Sequence, residues 1–70
     1  MNNRLLILRA DADLSQADLA RLLGVSRQTV NAVETDKYDP SLPLALRMAK
    51  IFGVAVDEIF VDDWVAPDRD

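Results

Sequence analysis

The chain has 70 residues, half of them apolar, with a formal charge of −4 and neither cysteine nor histidine. That leaves room for one small domain and excludes disulfides, thiolate metal sites and the commonest general base. No apolar run approaches the roughly 18 residues of a membrane span, and Leu5–Leu8 is too short for a secretory signal, so a cytoplasmic chain with no membrane contact is expected.

The first helix is expected from Arg4 to about Ala12, with Leu5 and Leu8 on one face. Asp13 interrupts it, and Leu14 packs as the chain turns. Ser15 is placed to cap a second helix, with Asp18 at its positive end. Leu19, Leu22 and Leu23 fall at helical spacing, and Ala20 is small where two helices must cross. Gly24 stands where the chain turns, Val25 is expected as a buried plug, and Ser26 is a good cap for a third helix from Arg27 to about Glu34. Val30 and Val33 mark that helix's inner face, beside Ala32. Thr35 to Ser41 reads as a loop, with Asp36, Asp39 and Pro40 as turn residues. A fourth helix runs from about Leu42 to Phe52, with Pro43 in its first turn and Leu44, Met48, Ala49 and Phe52 inward. Gly53 ends it, and Asp57 to Phe60 forms a short fifth helix with Ile59 and Phe60 inward. Residues 1–60 thus make one domain, and residues 61–70 an acidic tail with too little pattern to assign.

Charge is unevenly spread. Residues 1–50 are +1, whereas residues 51–70, with Asp57, Glu58, Asp62, Asp63, Asp68 and Asp70 against Arg69, are −5. The first part can therefore meet an anionic partner, but without a large basic field, so weak non-specific affinity for nucleic acid is expected.

The pieces LSQADLARLLGVSRQTVNAVE, KYDPSL, LALRMAKIFGV and DEIF occur in that order over residues 4–60. Together they resemble the phage-repressor (Cro and CI) type of helix-turn-helix, the XRE family, and in particular its small stand-alone members. The resemblance implies an all-α, lambda-repressor-like domain of five helices that binds double-stranded operator DNA, usually as a homodimer. It implies that Gln16 touches a phosphate, that Arg27, Gln28, Thr29 and Asn31 face the groove, and that Lys37 and Tyr38 lie in a loop passing the backbone. Those residue types suit base recognition, since arginine reads guanine, glutamine and asparagine read adenine, and a threonine methyl can meet the thymine methyl. Tyr38 is also expected to lend its ring to the core, with the hydroxyl at the surface. The resemblance further suggests an ion pair of Arg9 with Glu34, tying the first helix to the third.

Two departures stand out. The family usually has glycine near the positions of Asp13 and Asp36, and charged residues where Leu6 and Ile7 stand. Leu6, Ile7, Val61, Trp64 and Val65 therefore either pack back on the core or form a dimer or partner surface. The expected function is a transcriptional regulator, a repressor that occupies a palindromic operator. The rival is an antitoxin or adaptor whose tail grips a protein partner while the helix-turn-helix binds its own promoter. No nucleophile–base pair or metal-ligand spacing is present, so neither catalysis nor a cofactor is expected.

Overall fold

The computed structural model describes residues 1–68. Its helices are α1 (Leu5–Asp11), α2 (Gln16–Leu23), α3 (Arg27–Glu34), α4 (Leu42–Phe52) and α5 (Val56–Ile59). The fold is all-α, and three of its helices begin at serines that satisfy free amides. Ser15 Oγ accepts from the Asp18 N–H at 3.0 Å, and Asp18 Oδ2 accepts in return from the Ser15 N–H at 3.1 Å, a reciprocal capping box. Ser26 Oγ accepts from the Thr29 N–H at 3.1 Å, and Ser41 Oγ from the Leu44 N–H at 3.4 Å. Ala55 has no side chain for that role, and Glu58 Oε2 instead accepts from the Ala55 N–H at 2.6 Å.

Gly24 ends α2 at φ +76°. A Cβ there would meet nothing within 4 Å, so the glycine is required by the left-handed backbone and not by crowding. Arg47 of α4 donates to the Leu23 carbonyl at 3.3 Å, satisfying part of the same helix end. Asp13 at φ +57° and Asp36 at φ +65° are also left-handed. These are the two sites where the sequence departs from glycine, and each carries a steric cost that glycine would not.

The core gathers one side of every helix: Leu5, Leu19, Leu23, Val30, Val33, Met48 and Ile59 are fully buried. Ala20 and Ala49 are buried among them, and Leu8, Leu14, Val25 and Phe52 pack around the edge. Val25 is thus only half-buried. Leu22 has helical spacing but is 60% exposed, because α2's buried stripe is centred on Leu19, Ala20 and Leu23 and Leu22 lies about a quarter-turn outside it. Tyr38 corrects the sequence expectation: it is 45% exposed in the loop after α3 and is neither in the core nor among the side chains packed against it.

The fifth helix sits one residue earlier than expected, and Phe60 is extended at φ −105°, ψ 123°. The cause is a long-range pairing. Asn3 and Phe60 form an antiparallel bridge, with the Arg4 N–H donating to the Ile59 carbonyl and the Val61 N–H to the Asn2 carbonyl, both at 2.8 Å. Both ends of the domain are thereby tied together. Among the described residues no helix is long and apolar enough to cross a membrane.

Candidate nucleic-acid interface

Helix α3 buries Val30 and Val33 and turns Arg27, Gln28 and Asn31 outward. Arg27 and Asn31 are four residues apart and Gln28 and Asn31 three, so the three share one face. Thr29 is half-buried, and its hydroxyl lies 2.9 Å from Ser26 Oγ. The face is polar and exposed, and α2 packs more extensively on α3 than any other pair of helices packs together. Shape and chemistry are those of a helix presented to the major groove.

Arg9 on α1 and Glu34 at the end of α3 are brought together. Arg9 Nε donates to Glu34 Oε2 at 2.6 Å and a terminal nitrogen to Oε1 at 3.2 Å. Another terminal nitrogen donates to the Leu14 carbonyl at 2.9 Å, so the guanidinium also holds the α1–α2 turn. The Glu34 side chain is 1% exposed and that of Arg9 17%. The Glu34 hydrogen bond holds the Arg9 guanidinium above its ordinary value against the opposing effect of burial. A buried carboxylate is tolerable only when paired and hydrogen-bonded in this way.

Gln16, the first residue of α2, extends the network. Its Nε2 donates to Glu34 Oε1 at 2.9 Å and to Asn31 Oδ1 at 3.1 Å. A chain of hydrogen bonds therefore runs from α1 to the exposed face of α3. Lys37 and Tyr38 are exposed in the loop that leaves α3, where the Lys37 N–H closes on the Ala32 carbonyl at 2.9 Å. They stand apart from this network.

Asn3 escaped the sequence reading. Its Oδ1 accepts from the Leu5 N–H at 3.0 Å, and its Nδ2 donates to the Val33 carbonyl at 2.8 Å. One side chain thus opens α1 and closes α3. Asparagine ahead of a helix is a start signal and could have suggested the first bond, but not the second, which spans 30 positions.

The five expected surface residues stay apart from the core. Leu6 and Ile7 are 51% and 58% exposed on α1, Val61 is 43% exposed, and Trp64 and Val65 are 71% and 82% exposed in the tail. That removes the reading in which they pack back on their own domain. Leu42 and Leu46, one turn apart on α4, are exposed as well, at 68% and 45%.

A helix-turn-helix with an exposed polar second helix defines a class of DNA-binding regulators. The chain belongs to that helix-turn-helix family, whose model matches residues 5–59. It is 56% identical over 61 residues to an uncharacterized HTH-type transcriptional regulator of Methanocaldococcus jannaschii, covering 87% of this chain and 92% of that one. It is 34% identical over 55 residues to the cryptic phage CTXphi transcriptional repressor RstR of Vibrio cholerae, covering 79% of this chain and 50% of that one. Among solved structures it is similar to the restriction-modification controller protein C.AhdI of Aeromonas hydrophila, with a TM-score of 0.74 and 37% identity over 81% of this chain and 86% of that one. The protein is a DNA-binding transcriptional regulator of the helix-turn-helix type.

Proposed function

We propose that the protein is a sequence-specific repressor that binds a palindromic operator as a homodimer in the cytoplasm. The observation that carries this reading is the exposed face of Arg27, Gln28 and Asn31 on a helix anchored from behind by the nearly inaccessible Glu34 carboxylate. A rigid helix keeps its side chains in register with base edges, which is what sequence reading requires. Arg27 and Gln28 carry base contacts. Thr29, with its hydroxyl held by Ser26, offers its methyl. Lys37 and Tyr38 pass the phosphate backbone, and the free amides at the start of α2 place the Gln16 backbone N–H on a phosphate. Action is by reversible occupancy, with no catalytic step. In support, RstR is a repressor by name.

Dimerisation is supported by the apolar side chains that the domain leaves in water, Leu6, Ile7, Val61, Trp64 and Val65. A small domain without cross-links is stabilised by covering such surface. The exposed Trp64 and Val65 also favour a second reading, an antitoxin or adaptor that holds a protein partner through the tail. Binding-site selection from random DNA, with sedimentation equilibrium in parallel, separates the readings. A near-palindromic consensus bound by a dimer is expected. A monomer that binds all sequences alike rules the repressor reading out.

A further inference from the structure

Helix α3 exposes an asparagine whose amide is already held from the protein side, and the chemistry of the holding group settles which way that amide points. The Glu34 carboxylate only accepts hydrogen bonds. The Gln16 atom 2.9 Å from Glu34 Oε1 must therefore be the donor Nε2 and not the carbonyl oxygen Oε1. One Nε2 hydrogen goes to Glu34 and the second points at Asn31, 3.1 Å away, so the facing Asn31 atom must accept and is Oδ1. Arg9, bonded to both Glu34 oxygens, holds the carboxylate in place at the head of this relay.

We propose that Gln16 is a positioning residue that makes Asn31 lead with its donor, so that α3 takes guanine rather than adenine at the base pair Asn31 meets. This rests on the reading of the α3 face as a major-groove surface. Adenine is read bidentately when an asparagine brings Oδ1 to the N6 amino group and Nδ2 to N7 together. With Oδ1 held against Gln16, the Nδ2 group leads into the groove and Oδ1 stays behind. Guanine presents N7 and O6, two adjacent acceptors and no donor, and is satisfied by Nδ2 alone. Adenine would have to bring its N6 hydrogen to the second lone pair of Oδ1, which is set back beside Gln16, while Nδ2 reaches N7. Glutamine 16 thus sets specificity without touching a base. Both of its Nε2 hydrogens are committed, which also leaves its phosphate contact to the backbone N–H.

The test uses operators selected by the intact protein. Asn31→Ala locates the base pair at which preference is lost, and binding is then compared with guanine or adenine there, at one salt concentration. The parent is expected to favour guanine by about tenfold, a usual size for a good base contact. Gln16→Leu is expected to bring that ratio to about twofold or less while preferences at other base pairs stay, whereas a purely structural role would weaken both operators alike. Should Gln16→Leu not fold, nitrogen-15 spectra of the parent take its place. Both Gln16 side-chain amide protons should exchange slowly with water, and those of Asn31 should exchange fast. An adenine preference in the parent overturns the proposal. So does an unchanged ratio in Gln16→Leu, or fast-exchanging Gln16 protons. If the parent selects no sequence from random DNA, the DNA reading fails and the proposal with it; if it selects an operator that Asn31→Ala reads identically, the proposal alone fails.

Discussion

At position 34 a carboxylate side chain with 1% exposure is held by a guanidinium and a glutamine amide. Removing one partner of such a pair strands the other, at a cost of about 3–5 kcal/mol. Arg9→Ala and Glu34→Ala should each lower the unfolding free energy from urea titration by that order, and the double variant by clearly less than the sum, since neither charge is then left alone. Strict additivity would mean that the two do not interact. Arg27→Ala and Gln28→Ala, on the exposed side of the same helix, should leave the melting temperature nearly unchanged. They should cut operator affinity by about 1–3 kcal/mol and relax one base position each. Lys37→Ala should weaken binding to every sequence alike and flatten the salt dependence by about one phosphate. Filter-binding titrations across salt concentrations separate these outcomes.

The left-handed aspartates offer a residue-scale gain. Asp13 at φ +57° and Asp36 at φ +65° both hold a conformation that disfavours a Cβ. Asp13→Gly should stabilise by about 0.5–1 kcal/mol net of the greater freedom of the unfolded chain, raising the melting temperature by several degrees in a domain this small. Asp36→Gly should gain less, because Asp36 Oδ1 also lies 3.4 Å from Asn3 Nδ2. Differential scanning calorimetry of the two variants checks this ranking, and equal gains would mean that the Asp36 contact is idle.

At the scale of the element, helix ends decide much of the local stability. The Asp18 carboxyl is held below the usual carboxylate range by the Ser15 N–H, then by the Ser15 hydroxyl and the charge of Arg21. A folded-state value below the unfolded one adds stability that is fully present above about pH 4 and is lost as pH falls through the lower, folded value. Asp18→Asn should therefore be less stable than the parent at neutral pH, with the difference closing in acid. Urea midpoints at a series of pH values check the sign. Asn3 spans two elements, and Asn3→Ala should cost about 1–3 kcal/mol by removing two hydrogen bonds, those to the Leu5 N–H and to the Val33 carbonyl, which keeps the Asp36 N–H at 3.1 Å.

At the scale of the whole molecule, the domain closes on itself through the Asn3–Phe60 pairing but leaves apolar side chains outside. In a two-fold dimer on DNA the two copies of α3 should lie about 34–36 Å apart, one helical turn of DNA. Trp64→Ala, which leaves the terminal pairing intact, should weaken self-association and lower affinity for the full operator more than for a half-site. Sedimentation equilibrium with and without operator is the measure. A parent that stays monomeric at high micromolar concentration in both cases removes the dimer, and an equally tight Trp64→Ala dimer removes only the tail from it.

Much of this molecule was legible in one dimension because its determinants are local. Serines at 15, 26 and 41 start three helices, Gly24 and Gly53 end two, and the buried stripes follow the helical repeat. Each depends on neighbours within a few positions. The exposed face of Arg27, Gln28 and Asn31 follows from the same periodicity once Val30 and Val33 are assigned inward. What only the tertiary structure decided involves partners far apart in the chain. The Asn3–Phe60 bridge, the Asn3 bond to the Val33 carbonyl and the Gln16–Glu34–Asn31 relay join segments that no local pattern pairs. Tyr38 was misplaced for the same reason, since whether an aromatic ring is buried depends on the space other helices leave. Hydrogen bonds and packing form where distant groups meet, and the meeting is set by the fold as a whole.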